Sequence, residues 1–463
     1  MNDSTTTAAT LSPDNFLDKK PLGFWRLTSL VAGNMIGSGI FLLPDDLARI
    51  GAASFIAWGI TILGTFCLAL LFSRLSQIVQ QNGGPYAYAR DGLGNFTGFQ
   101  TAYNHWIAIW VSNIALVVAL IGYLATFFPL LLNPIYAVAL AITILWLLTF
   151  INMTGMHRAG ALQLCLTIIK LIPLIGIALI GFWYFNPAYI KEYFALPSYN
   201  YSHITGAASL TLWAFIGVES AAIPRSFVEN PRRNIPLATF IGTATAAIVY
   251  IATATMLMGL MPQQTLGASP SSFVTAAEML CGQWGKWIML VGAAISCFGC
   301  MHGWIMLQGQ VTLAAAEHKL FPRIFAFKNK HGIPSAGLIV TAILQTVILL
   351  TTLNKNAKEQ FHIILLMASL AALIPYLYTA IAALPILQRE TTEKKRCWDK
   401  FLLLIATLTV GYSFWSIVIS EPKVILYGSI LVLVSAILYG WWYGNRDEKD
   451  EESITIQQPD ENM

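Results

Sequence analysis

The chain has 463 residues, of which 56% are hydrophobic and only 11% charged, and its mean hydropathy is +0.63. A soluble globular chain carries roughly 25% charged residues, so an ordinary soluble enzyme is excluded. The formal net charge is only +4, and what matters is where the charges sit.

The first 20 residues, MNDSTTTAATLSPDNFLDKK, are polar and read as a disordered cytoplasmic tail without a cleavable signal peptide. Twelve apolar stretches follow, at about 24–48, 54–75, 97–128, 133–153, 161–185, 206–228, 237–260, 286–316, 336–354, 362–387, 400–420 and 423–443. Each is long enough to cross the hydrocarbon core of a bilayer. Backbone groups cannot stay unpaired in lipid, so such spans are helices. The ten-residue alternation of a membrane barrel is absent. The predicted class is all-α, a polytopic membrane protein with 12 transmembrane helices. A single transmembrane domain is expected over 21–445, then an acidic cytoplasmic tail over 446–463.

Lysine and arginine orient the spans. With both termini in the cytoplasm, 20 of the 27 basic residues fall on the cytoplasmic side and 6 on the other, leaving Lys170 inside a span. That bias obeys the positive-inside rule. Cys297 and Cys300 have C-x-x-C spacing but no accompanying Cys or His cluster, so they read as small residues at a helix contact and not as a metal site.

Two spans are interrupted. The first reads LVAGNMIGSGIFLLP, with Gly33, Gly37, Gly39 and Pro44; the sixth reads TLWAFIGVESAAIP, with Gly217, Glu219 and Pro224. Glycine tolerates unwound backbone and close approach. Two broken spans in corresponding positions of two five-span halves point to a transporter's binding site. Freed N–H groups there can hold a carboxylate, and freed carbonyls can hold an ammonium.

GNMIGSGIFLLP, GGPYAYAR, LWAFIGVESA, ENPRRNIPLAT, the run from Trp304 to Gln310 and IPYLYT resemble the amino acid–polyamine–organocation superfamily. Within it they look most like the arginine/agmatine antiporter and its basic amino acid/polyamine exchanger relatives. The resemblance covers nearly the whole chain outside the tails. It implies a LeuT-type fold of two inverted five-span repeats, at about 24–185 and 206–387, with spans one and six unwound at mid-membrane and two extra helices at about 400–443.

The same resemblance implies residue roles. Asn34, Met35, Ser38 and Gly39 match the unwound segment that takes the substrate's α-carboxylate and α-amine. Trp213 and Ile216 line the pocket from span six, with Trp213 as a gate. Trp304 matches the tryptophan that stacks on the substrate cation, and Asn113 the residue that hydrogen-bonds its distal end. Ala108 and Ile109 fall on the same pocket wall. Glu219, the acid clearly inside a span core, matches a gating and pH-sensing glutamate. An intramembrane carboxylate is costly and marks function.

The chain also departs from the antiporter. Lys170 stands where the antiporter lacks a lysine; in other superfamily members such a lysine resembles a substitute for a sodium ion, which favours proton coupling. His105 replaces a pocket tyrosine, Ile109 a cysteine and Ala368 a serine. The distal pocket is thus more apolar, and arginine, lysine, ornithine, another amine or a neutral amino acid all stay open as substrates.

No ATP-binding G-x-x-x-x-G-K-[ST] run occurs, nor the hydrolase motifs HExxH or GxSxG. The expected function is secondary transport and not catalysis. One version exchanges a basic amino acid for its decarboxylation product or another amino acid; the other is proton-coupled amino acid symport. The expected partners are an amino acid or amine, protons, the lipid bilayer of a bacterial inner membrane and a second copy of the chain. No metal, cofactor or nucleic acid is expected.

Overall fold

The computed structural model describes the backbone of residues 21–195, 200–269, 271–351, 353, 357–390 and 396–455; side chains at 42, 195, 357–368, 390, 396–399 and 443–455 are outside the description. The first 20 residues, read as a disordered tail, lie outside it.

Span one is two helices, α1 (Phe24–Met35) and α2 (Gly39–Ile50), separated by Ile36, Gly37 and Ser38. Then come α3 (Ala53–Ile78), the short α4 (Pro85–Leu93), α5 (Asn95–Ala125), α6 (Pro134–Met153), α7 (Met156–Gly181) and the peripheral α8 (Pro187–Ala195). Span six starts as α9 (Tyr201–Trp213). It continues through 214–224 as consecutive turns closed by three-residue bonds, such as Ser220 N to Gly217 O at 3.0 Å and Ala222 N to Glu219 O at 2.9 Å. The span is interrupted there, as its sequence leads one to expect. Glycine at 217, with φ +121°, and Pro224 prevent regular helix across that stretch.

The second half of the chain holds α10 (Pro231–Leu260), the short α11 (Gln263–Ala268), α12 (Ser272–Glu317), α13 (Ser335–Thr351), α14 (Ala357–Glu390), α15 (Arg396–Val418) and α16 (Pro422–Thr455). Among the described residues, nine helices are long and apolar enough to cross a membrane. With the shorter α13 and the two broken spans they account for the twelve expected. α12 is two helices joined at a kink, where Gly282 takes φ +61°, and the part after the kink holds the eighth span expected at about 286–316. The acidic stretch after 445 prolongs α16 to Thr455, since DEKDEE is free of glycine and proline.

The ends of the two broken spans are tied together. Leu22 and Val228 form a parallel bridge, with Leu22 N donating to Phe227 O at 2.7 Å and Glu229 N donating to Leu22 O at 3.0 Å. The GGP motif docks on the same place. Gly83, at φ +102°, donates its N–H to Ile223 O at 3.0 Å, and Asn82 Oδ1 accepts from Ser226 N at 2.7 Å. Arg225, buried, donates to Ser76 O.

Candidate functional site

Breaking α1 after Met35 frees carbonyls that a continuous helix would use. In a membrane interior each needs a partner. Four side chains from three helices supply them. Lys170 Nζ on α7 donates to Gly33 O at 2.6 Å and Ile36 O at 2.5 Å. Cys300 Sγ on α12 donates to Asn34 O at 3.1 Å, and Tyr250 Oη on α10 to Met35 O at 2.9 Å. Ser296 Oγ on α12 donates to Ile36 O at 3.2 Å or Gly37 O at 3.1 Å. The five carbonyls from Gly33 to Gly37 are therefore all taken. The carbonyls at which a substrate ammonium was expected thus each already accept from one of the protein's own donors, with one lone pair remaining.

The N–H side of the break is different. α2 begins at Gly39, where a helix start lacks i−4 carbonyls for its first N–H groups; Phe41 N turns back to Ser38 O at 3.1 Å, and the Ser38 side chain caps none of them. A Cβ at Gly39 would meet nothing within 4 Å. Ser38 and Gly39 are half-buried while Leu27–Gly37 are buried, so the break is reached from its α2 side.

The two broken spans meet directly. Asn34 Nδ2 donates to Ser220 Oγ at 3.0 Å. A Cβ at Gly217 would lie 3.4 Å from Met35 N and from Trp304 Cζ2. Trp304 is buried on α12, against the span-six break. Ile216 packs with Ala108 of α5 and Ala371 and Ala372 of α14. Ile109 is buried in the main core. Asn113, fully buried, donates its Nδ2 to Gln308 Oε1 at 3.2 Å. Trp213 ends α9 and keeps 36% of its surface exposed. The side chain of Ala368 is outside the described residues.

Glu219 sits at the crossing of three elements. His105 Nε2 on α5 is 3.1 Å from Glu219 Oε1, and Tyr376 Oη on α14 donates to Glu219 Oε2 at 2.6 Å. Tyr376 in turn accepts the N–H of Gly217 at 3.0 Å. All three side chains are buried. His105, expected at the position of a pocket tyrosine, meets Glu219. Glu219 is not the only buried acid in a span, because Asp45 near the end of α2 is buried too. A cavity lined by Thr65, Phe215, Tyr376 and Tyr412, among others, adjoins this network, and its lining includes none of the expected substrate ligands.

His302 donates or accepts toward Asn152 Nδ2 at 3.0 Å and Ala159 O at 2.9 Å, a satisfied helix-contact histidine. Sequence reasoning passed over Tyr250, Ser296, Ser220, Gln308 and Tyr376. Ser220, Gln308 and Tyr376 had a signal, since they lie in the quoted LWAFIGVESA, the Trp304–Gln310 run and IPYLYT. Cys300 was read as a helix contact; it also caps a freed carbonyl.

An amino acid permease profile matches residues 22–451. The chain belongs to the amino acid permease family. It is a multi-pass membrane transporter and not an enzyme. It is 37% identical over 368 residues to the cadaverine/lysine antiporter of Escherichia coli K12, covering 78% of this chain and 83% of that one. It is 31% identical over 423 residues to the putrescine transporter PotE of the same strain, covering 90% and 95%. PotE of Haemophilus influenzae is also 31% identical, over 422 residues, covering 91% and 96%. These relatives fall in the basic amino acid/polyamine group that the motifs resemble.

Proposed function

We propose that the protein is a secondary active transporter that exchanges a basic amino acid for its decarboxylation product or another amino acid by alternating access. The observation that carries the reading is the meeting of the two breaks. Trp304 lies against Gly217, while the start of α2 at Ser38 and Gly39 is open. The α-carboxylate binds the first-turn N–H groups of α2 and the Ser38 hydroxyl, where the helix dipole favours an anion. The cationic end lies over the Trp304 ring, a contact worth up to about 2 kcal/mol when desolvated. Trp213 swings from its exposed position to close over the substrate. Glu219 senses the cation through the His105–Glu219–Tyr376 network. The relatives' names, cadaverine/lysine antiporter and putrescine transporter, support an amine-type substrate.

The transporter resides in a bacterial inner membrane with both termini cytoplasmic, as the basic-residue bias requires. Counterflow in proteoliposomes tests the exchange. Vesicles preloaded with lysine, arginine, ornithine, cadaverine, agmatine or a neutral amino acid are given labelled substrate on the outside. Acceleration by basic amino acids and their amines is expected. Acceleration by neutral amino acids alone refutes the reading.

Lys170 favours a second reading, proton-coupled symport by the same fold. Its ammonium holds the unwound segment at two carbonyls, a place a metal cation would fill in a sodium-coupled carrier. Net uptake driven by a proton gradient without trans-substrate distinguishes it from exchange.

A further inference from the structure

The face of α12 that meets the breaks extends one turn beyond Trp304. Cys300 meets the first break and Trp304 the second, and Gln308 follows at the same four-residue spacing. On α5, Leu116 Cδ2 would lie 3.5 Å from a Cβ at Gly37, and Asn113 stands three residues earlier on that side of the helix. Where the two faces converge, the Asn113 and Gln308 amides pair at 3.2 Å, both side chains fully buried.

The pair is incomplete. Asn113 Oδ1 and Gln308 Nε2 have no partner. The count is independent of how the amides are oriented. If both are turned so that Gln308 donates to Asn113, one oxygen and one NH2 are again left free. A buried polar group without a partner is destabilising, so the free oxygen is a poised acceptor.

We propose that Gln308 is a specificity-determining residue: by pairing with Asn113 it leaves a single distal acceptor, which selects the ammonium end of a basic amino acid or diamine over a guanidinium. The proposal rests on the basic-substrate reading above. An ammonium is compact, and one oxygen plus the face of Trp304 meets its needs. A guanidinium presents five donors in a rigid plane and is matched by adjacent acceptors. Spread across the amide pair, it sets one N–H against the free NH2 and leaves others buried without partners. Ile109, one turn before Asn113, adds no acceptor.

The test is the ratio of KM values for arginine and lysine, with agmatine and cadaverine as the amine pair, in reconstituted wild type, Gln308→Ala and Gln308→Glu. Wild type is expected to favour the ammonium substrates at least tenfold. Gln308→Ala frees the Asn113 amide and should lower the ratio about tenfold. Gln308→Glu keeps the size and adds carboxylate oxygens, so it should lower the ratio further; it also covers the case in which the smaller side chain impairs folding. A wild type that prefers guanidinium substrates overturns the proposal, as does a ratio unchanged in a variant that still exchanges lysine. If wild type exchanges no basic amino acid or diamine at all, the functional reading itself fails, a result distinct from an unchanged ratio.

Discussion

Tyr376 donates its hydroxyl to Glu219 at 2.6 Å while accepting the N–H of Gly217 at 3.0 Å. One tyrosine thus reads both the carboxylate and the backbone at the turn of span six. A change in the charge or position of Glu219 moves the hydroxyl, and with it the partner of the Gly217 amide. Glu219→Gln keeps the shape and removes the charge. Exchange of a cationic substrate should fall at least tenfold. Counterflow in proteoliposomes measures it, and a variant with the wild-type rate would remove Glu219 from the mechanism.

Lys170→Met deletes the donor to Gly33 O and leaves the single Ser296 hydroxyl proton to serve Ile36 O or Gly37 O but not both. Two buried carbonyls are left without a partner, at about 1–3 kcal/mol each. Thermal unfolding in detergent should show that loss. If Lys170 also carries the coupling proton, uptake in the variant should lose its response to an imposed proton gradient. Unaltered stability together with an unaltered gradient response would discard both roles.

Gly303 faces Asn34 so closely that an added Cβ would fall on Asn34 Oδ1. Gly303→Ala should push Asn34 away and break its bond to Ser220, the direct link between the two broken spans. We expect transport to drop at least tenfold while the membrane-inserted protein remains abundant. Retention of full transport would mean that the Asn34–Ser220 contact is dispensable.

His318, just past the end of α12, gives a pH effect outside the spans. Burial holds its imidazole below the ordinary histidine value, although its Nδ1 lies 2.9 Å from Ala314 O. The unfolded state therefore binds the proton more readily. The folded state keeps its full stability above about pH 6.5 and loses some as the pH falls toward the lower folded value. The residue is only partly buried, so the loss is small. Melting curves at pH 7.5 and 5.5 should differ less for His318→Gln than for wild type; equal differences would assign the pH effect to other groups.

The sequence made the fold legible because lipid leaves few options: apolar runs of sufficient length become helices, and basic residues sort by side. It also marked the two breaks, since Gly33, Gly37 and Gly217 cannot be read as ordinary helix. Less legible was what fills them. Ser296, Tyr250 and Gln308 are common residue types in apolar helices, and nothing in their local sequence tells which distant carbonyl or amide they meet. His105 was visible as a departure, but its pairing with Glu219 depends on how α5 crosses the span-six turns. How far the interruption of span six runs was likewise hidden, because VESAAI could continue a helix equally well.

The bridge between Leu22 and Val228 has a mechanical consequence. The strand entering α1 and the strand leaving span six are stitched by two backbone hydrogen bonds, and Gly83 bonds Ile223 alongside them. While these bonds hold, the start of span one and the end of span six form one piece, so a displacement of either end carries the other and the GGP segment with it.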